Sequence, residues 1–206
     1  YRALPGPDRT GRPVHEMRYY PELGMVGMLS MDTQSVHGNE PQHVLEFYNP
    51  GQWATKAQSM WFSGSVISAE YLPNHKAVLV SSADLHLRLY DFKTESQKPI
   101  LEVAAEDTYC LLRWSRQWRQ VYAAATNGSV TTWNLDDRKR SMKRGQHYKL
   151  HHSSITQMLF LPLDGSIVTS SMDPGLTIQE PHRGELIADL QGHRSAICDI
   201  TYSEDH

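Results

Sequence analysis

Long apolar runs are absent from this 206-residue sequence: no stretch approaches the roughly 18 residues that a bilayer-crossing helix needs. No signal peptide is visible at its start. Cysteine is scarce, since Cys110 and Cys198 are the only two, whereas a small disulfide-stapled secreted domain carries more of them at short spacings. We therefore expect a cytoplasmic protein in a reducing compartment, with no membrane as its partner.

An excess of positive charge is absent as well. Lys and Arg number 20 against 23 Asp and Glu, which gives a net charge of −3. Dedicated nucleic-acid binders usually carry a strong basic excess, so the charge argues against nucleic acid as the main partner. The 39% of hydrophobic residues is enough for the core of one large all-β domain or two small ones.

The motifs of common active sites and metal centres are also missing. The sequence has no Gly-x-Ser-x-Gly, no phosphate-cradling Gly-rich loop, no Cys-x-x-Cys and no His-Glu-x-x-His. Zinc sites recruit Cys or carboxylates at fixed short spacings, and the clustered histidines lack them: His147, His151, His152, His182 and His193. We expect no catalysis, no cofactor, no metal and no small-molecule substrate.

An internal repeat organises what is present. Five segments begin with a β-branched or aromatic residue and place a second aromatic residue five positions later. They start at Val14, Val66, Tyr109, Ile155 and Ile197, which lie 52, 43, 46 and 42 residues apart. Self-similarity at this period is typical of solenoids, propellers and arrays.

A turn residue is the second landmark, eighteen positions after each of the first four starts: Asp32, Asp84, Asn127 and Asp173. Asp and Asn suit turns because their short side chains hydrogen-bond nearby backbone. The third landmark is a pair six residues past the turn: Tyr90-Asp91, Trp133-Asn134 and Gln179-Glu180. In the first unit this pair is displaced by ten residues, to Tyr48-Asn49. One insertion, roughly Thr33 to Gln42, explains both the displacement and the longer first spacing.

Each unit therefore contains three short strands and a fourth stretch that leads to the next start. Four strands per roughly 42 residues is the pattern of a propeller blade. We predict an all-β propeller fragment over residues 14–206, with four four-stranded antiparallel blades and the first strand of a fifth. Residues 1–13 are predicted to be a linker or the end of a preceding blade, and we interpret both chain ends as cuts through a longer protein. The alternative, unrelated strands in a β-sandwich, gives no reason for fixed offsets.

These residues resemble the WD-repeat (WD40) β-propeller family over residues 14–206. His193, preceded by Gly192, stands four residues before Ile197, and His151 stands four before Ile155; the Trp-Asp pair of the family is degenerate here. The resemblance implies that His151, Ser171 and Asp173 share buried hydrogen bonds, because buried polar groups need partners. It assigns the same structural role in the other units to Asp32, Asp84, Asn127 and His193.

A narrower resemblance lies in the fourth unit, from Ile155 to His193. This run is similar to WD-repeat proteins of ciliary axonemes, including the group that carries EF-hands, although this sequence has no EF-hand loop. It implies a structural scaffold of the cilium or flagellum axoneme, with tubulin or axonemal proteins as partners. The alternative is an adaptor or substrate-recognition propeller in a soluble complex for ubiquitin ligation, trafficking or RNA-associated work. Both hypotheses describe a non-catalytic protein–protein interaction scaffold in a multi-subunit assembly.

Two features are candidates for partner contacts. The basic cluster is either a solvated loop or an electrostatic contact to an acidic partner such as a tubulin tail or RNA; it comprises Arg138, Lys139, Arg140, Lys143 and Arg144. Exposed aromatic residues often anchor interfaces, which makes Trp53 and Trp118 the second candidate. Alternatively, Trp118 covers the edge of the neighbouring blade.

Overall fold

The structure, a computed structural model, describes residues 12–32, 42–52, 55–94, 98–136 and 139–203. These ranges contain sixteen β-strands and no helix, so none of the described segments is a helix that could span a membrane. The strands form four four-stranded sheets, and within each sheet every strand is hydrogen-bonded to the next one along the chain. The predicted all-β class with four four-stranded antiparallel blades is thereby confirmed.

The strand bounds follow the predicted units. The first sheet contains β1 (Val14–Tyr20), β2 (Met25–Asp32), β3 (Gln42–Tyr48) and β4 (Lys56–Ser63). The second contains β5 (Val66–Leu72), β6 (Ala77–Ser82), β7 (His86–Asp91) and β8 (Leu101–Ala104). The third contains β9 (Tyr109–Ser115), β10 (Gln120–Ala125), β11 (Ser129–Asp136) and β12 (Ser141–Lys149). The fourth contains β13 (Ile155–Phe160), β14 (Ile167–Ser171), β15 (Leu176–Gln179) and β16 (Leu186–Leu190).

Burial varies across each sheet in a way that the residue types explain. The second strands β6, β10 and β14 are buried over nearly their whole length, and they consist of apolar and small residues that suit a strand covered on both faces. The last strands β8, β12 and β16 are mainly exposed. Of these, β12 carries several charged side chains, which keep sheet edges from pairing indiscriminately.

Two backbone features recur at fixed offsets from the predicted starts. The residue seventeen positions after each start donates its N–H to the carbonyl just before that start, at 2.9–3.2 Å in all four sheets. The residue ten positions after each start has a positive φ in the turn between the first two strands: 63° at Gly24, 48° at Lys76, 52° at Arg119 and 71° at Gly165. The repeat is therefore regular in its main chain even where its side chains differ.

The chain also divides into two compact units that are larger than the repeats of the sequence. The first unit contains residues 1–84 and 88–102, and the second unit contains residues 85–87 and 103–206. In the first unit, one hydrophobic cluster contains residues of both the first and the second sheet. The Tyr20 ring meets the Tyr71 ring edge-on at 6.3 Å, and the Tyr20 hydroxyl donates to the Ala69 carbonyl at 3.3 Å. These contacts fix β1 against β5.

Charged side chains reinforce the same junction. The Arg18 guanidinium donates to the Glu70 carboxylate, and the Ser68 hydroxyl donates to Glu16 at 3.1 Å. Burial raises the pKa of Glu16, although Arg18 and the Ser68 hydrogen bond act in the opposite direction. In the second unit, Arg113 holds the equivalent place in β9 and donates to the Met158 carbonyl at 3.2 Å. An arginine in the first strand therefore links neighbouring sheets within each unit.

The second unit shows how a first strand docks on the sheet before it. The Cys110 thiol of β9 donates to the Ile155 carbonyl of β13 at 3.2 Å. At the same position of β13, the Thr156 hydroxyl donates to the Ile197 carbonyl at 2.5 Å. Ile197 thus lies against the fourth sheet where the fifth strand is predicted to start, but residues 197–203 are not a strand. A strand requires a hydrogen-bonded ladder, and within the described ranges no segment supplies one here.

Candidate functional site

The polar side chains that the repeat singles out meet most fully in the fourth sheet. His151 is buried at 6% exposure, and its Nε2 lies 2.9 Å from the Thr169 hydroxyl and 3.2 Å from the Thr177 hydroxyl. Burial lowers the pKa of His151, partly offset by Asp173 and by hydrogen bonding at Thr169. A neutral imidazole so enclosed fastens the loop before β13 to β14 and β15.

Asp173, which is partly exposed, and the buried Ser171 form a second group of hydrogen bonds at the turn after β14. The Asp173 carboxylate accepts the backbone N–H groups of His152 and Ser153 at 2.9 and 3.1 Å, and the Ser153 hydroxyl at 2.7 Å. The Ser171 hydroxyl accepts the Asp173 N–H at 3.0 Å. The Ser153 hydroxyl, helped by these N–H groups, lowers the pKa of Asp173. The three residues of the implied framework therefore divide between two neighbouring groups, and their shared structural role stays a prediction.

Thr169 and Thr177 are the members of the buried group that the sequence reasoning missed. Thr169 and Thr177 face each other in the register of β14 and β15, and their hydroxyls are 3.0 Å apart. Gln179, the residue at the third landmark of this sheet, donates to the Thr177 hydroxyl. Side chains alternate along a strand, so Thr169 shares a face with Ser171 and lies deeper in the sheet. Two threonines with matching alternation were the available signal.

The equivalent turn residues in the second and third sheets have different partners. Asp84 accepts both Nη groups of Arg88, at 3.1 and 2.5 Å, and its side chain is 53% exposed. Asn127 donates to Asp107 at 2.7 Å and accepts the Ser129 N–H at 2.9 Å. Both hold a turn closed, as short polar side chains do.

The two remaining residues of the implied framework are Asp32 and His193. Asp32 ends β2 and pairs with Gln42 of β3 in the ladder, and its side chain lies outside the described part of the structure. His193 is exposed before the Ile197 segment. Among the described residues, no three His, Cys, Asp or Glu side chains come together in the way a metal ion requires.

The basic cluster lies on the turn from β11 to β12 and on the exposed edge strand β12 itself. Lys139 is 71% exposed and 4.0 Å from Asp136, while Arg140 occupies the turn with φ 46°. Lys143 and Arg144 are exposed on β12, and Arg144 pairs with Glu106 at 2.7 Å. Arg138 falls outside the described residues. The described members thus form one accessible surface, although part of its charge is balanced locally.

Trp118 contacts the neighbouring sheet of its own unit. Its indole N–H donates to the Gly165 carbonyl at 3.3 Å, and its ring meets that of His182 at 4.1 Å, edge to face. It also packs, half-buried, against the cluster that joins the third and fourth sheets. These contacts are those expected if Trp118 covers the edge of the next blade. Trp53, the other aromatic candidate, lies outside the described residues.

No protein-family model matches the chain. Over 109 residues the chain is 27% identical to the human GATOR2 complex protein WDR24, and this match covers 52% of the chain but 13% of that protein. A WD-repeat relative and four meandering four-stranded sheets together fit a WD40 β-propeller and a protein-interaction scaffold.

Proposed function

We propose that this chain is part of a WD-repeat propeller, spanning residues 14–206, that acts as a non-catalytic scaffold in a multi-subunit protein assembly. The observation that carries the proposal is an apolar face of β1. Met17 is 69% exposed, Tyr19 54% and Val14 48%. Large exposed apolar side chains grouped on one element mark interaction surfaces in soluble proteins.

The repeat indicates what this face contacts. At the same offsets in β5, Val66, Ala69 and Tyr71 are at most 7% exposed, because the first sheet packs against them within that unit. The face of β1 therefore has the chemistry of a surface that receives a neighbouring blade. That blade belongs either to this polypeptide or to a partner, and in both cases β1 supplies a protein–protein contact.

The test places charge on the face and follows the assembly. The double variant Met17→Glu/Tyr19→Glu in the full-length protein is compared with Met172→Glu, which alters another exposed methionine (58%). We expect the double variant to lose co-purified subunits when the blade is a partner's, or to lose thermal stability when it belongs to the same chain. A double variant that assembles and melts like the control refutes the proposal.

Two assemblies are candidates, and in both of them the protein would be cytoplasmic. The similarity of residues 155–193 to axonemal WD-repeat proteins favours a cilium or flagellum scaffold with tubulin or axonemal partners. The match to WDR24, a protein named for the GATOR2 complex, favours an adaptor in a soluble complex. Cosedimentation with microtubules at moderate salt separates them: pelleting supports the first, and recovery in a microtubule-free complex supports the second.

A further inference from the structure

A polar cleft of about 360 Å³ lies in the second unit, between the third sheet and the turn that connects β15 to β16. Pro181, His182 and Arg183 form the turn side. The sheet side is formed by side chains and backbone of β10, β11 and β12: Gln120, Thr132, Asn134, Gly145 and Gln146. The lining contains two basic-type side chains, three primary amides and one hydroxyl, and it includes neither Asp nor Glu.

The sheet side of the cleft presents hydrogen-bond donors. Gln120 Nε2 donates to Asn134 Oδ1 at 2.8 Å, which leaves the Asn134 amide nitrogen turned towards Gly145. A Cβ atom at Gly145 would come within 3.1 Å of that nitrogen and 2.4 Å of the Thr132 hydroxyl. Glycine therefore keeps the donors accessible at the point where β12 bulges past Thr132.

The turn side of the cleft is held in place from behind. The Glu180 carboxylate accepts the backbone N–H groups of His182 and Arg183 at 2.9 and 2.6 Å. Two tyrosine hydroxyls, of Tyr122 and Tyr148, donate to the Pro181 carbonyl at 3.4 and 2.7 Å. The backbone from which the His182 and Arg183 side chains extend is thus held in place, which suits preorganised recognition.

Positive charge flanks the cleft from both sides. The Arg183 side chain is 78% exposed, and its guanidinium is 3.6 Å from the Glu185 carboxylate. At this separation the guanidinium can still form closer, bidentate hydrogen bonds with the carboxylate of a ligand. On the sheet side, Lys143 stands opposite Asn134 in the β11–β12 register. Arg144 points its charge at Glu106 instead. Lys143 and Arg183 are therefore the cations available to a ligand in the cleft.

The strand beside the cleft is accessible to an extended chain. β12 is the last strand of its sheet, and its residues 143–147 are all exposed. An exposed sheet edge can pair with an added strand, whose side chains then point alternately to the two faces. Every second side chain of such a strand would face the same side as Asn134 and the cleft.

We propose that β12 and this cleft bind an extended acidic peptide segment of a partner protein, with an Asp or Glu carboxylate held between Arg183, Asn134 and Lys143. The inference rests on the proposed scaffold function and specifies its partner chemistry. Charge complementarity and the donor-rich lining favour a carboxylate-bearing peptide over a nucleic acid, because the site has few cations and its lining residues include no Trp, Tyr or Phe on which bases could stack.

The experiment titrates the full-length protein with a fluorescein-labelled peptide in which Glu alternates with Val, and with the same peptide carrying Gln for Glu. Fluorescence anisotropy gives the affinities at low and moderate salt. We expect binding of the Glu peptide alone, weakening as salt rises, and a loss of about tenfold in Arg183→Gln because a charged hydrogen-bonded pair is removed. Lys143→Gln should lose about threefold in affinity, because the lysine ammonium that it removes makes a less directional contact than a guanidinium.

Arg194→Gln is the matched control, since it removes one exposed arginine that does not line the cleft, and it should bind within twofold of the parent protein. The side-chain amide resonances of Asn134 and Gln120 should shift on addition of the Glu peptide. Equal losses in Arg183→Gln and Arg194→Gln, equal binding of the Gln peptide, or displacement of the Glu peptide by polyuridylate would each overturn the inference.

The two proposals fail separately. If the β1 variant loses its assembly while the cleft variants bind the Glu peptide like the parent protein, the scaffold function stands and the peptide site does not. If the cleft binds the Glu peptide in an Arg183-dependent way while the β1 variant assembles normally, the site stands and the β1 argument is refuted.

Discussion

Replacing Thr169 by Val tests whether the His151 group stabilises the fourth sheet. Thr169 is fully buried, and its hydroxyl lies 2.9 Å from His151 Nε2 and 3.0 Å from the Thr177 hydroxyl. Val has nearly the same shape but no hydroxyl. The change removes a hydrogen bond worth about 1 kcal/mol net and leaves a buried imidazole nitrogen with only its longer contact to Thr177, for a total loss of about 2–3 kcal/mol.

Thr169→Ser is the matched control because it keeps the hydroxyl and deletes one buried methyl group, at a cost of about 1 kcal/mol. Urea titration gives the global loss, and native-state hydrogen exchange at the β14 amides gives the local one. We expect Val to be more destabilising than Ser at β14, with the β6 amides of the other unit little affected. If Val stays within about 0.5 kcal/mol of the parent protein and Ser costs more, packing rather than hydrogen bonding holds this sheet, and the reasoning fails.

Three further perturbations follow from the same structure. Burial lowers the pKa of His151, so below the ordinary histidine pKa of about 6.5 the unfolded chain binds more protons than the folded one. The free energy of unfolding, measured by urea titration, should therefore be constant above that pH and decrease below it. His151→Gln should make this decrease smaller, and an unchanged pH dependence would contradict the reasoning. Gly165→Ala should cost more than Gly24→Ala in thermal melts, because both have left-handed φ but only the Cβ at 165 meets Trp118 Nε1, at 2.7 Å; equal losses would rule out that contact. Lys76→Gly should stabilise by about 0.5–1 kcal/mol, since φ is 48° there, and a lower urea midpoint would contradict this.

The sequence predicted most of the backbone because the repeat leaves marks where packing is strictest. The third-strand landmarks Tyr48, Tyr90, Trp133 and Gln179 are all at most 3% exposed, so selection for bulk at one buried position makes them visible at a fixed offset. The insertion predicted from roughly Thr33 to Gln42 starts directly after β2 ends at Asp32, and its last residue, Gln42, is the first residue of β3; residues 33–41 are outside the described part. Periodic burial is the kind of information that a single sequence displays.

Other features were hidden because different residues satisfy the same requirement. The left-handed turn position is Gly, Lys, Arg and Gly in the four sheets, so no residue type identifies it. His151 bonds the Thr169 hydroxyl, whereas the Ser171 hydroxyl accepts the Asp173 N–H. The cleft is lined by residues of β10, β11 and β12 on one side and by residues 181–183 on the other. Only the packing of the two sheets brings these segments together.

The hydrogen bond from the first strand of one sheet to the first residue of the next repeat tolerates substitution at the receiving residue. Cys110 and Thr156 differ in chemistry, yet each donates to the main-chain oxygen at the start of the next unit. Every amino acid offers the same carbonyl, so this bond places no demand on the identity of the side chain at the receiving position. In the third and fourth sheets, therefore, the residue that receives the bond can be replaced by any other amino acid without removing the acceptor, and only the small donor at the second position of the first strand has to be kept.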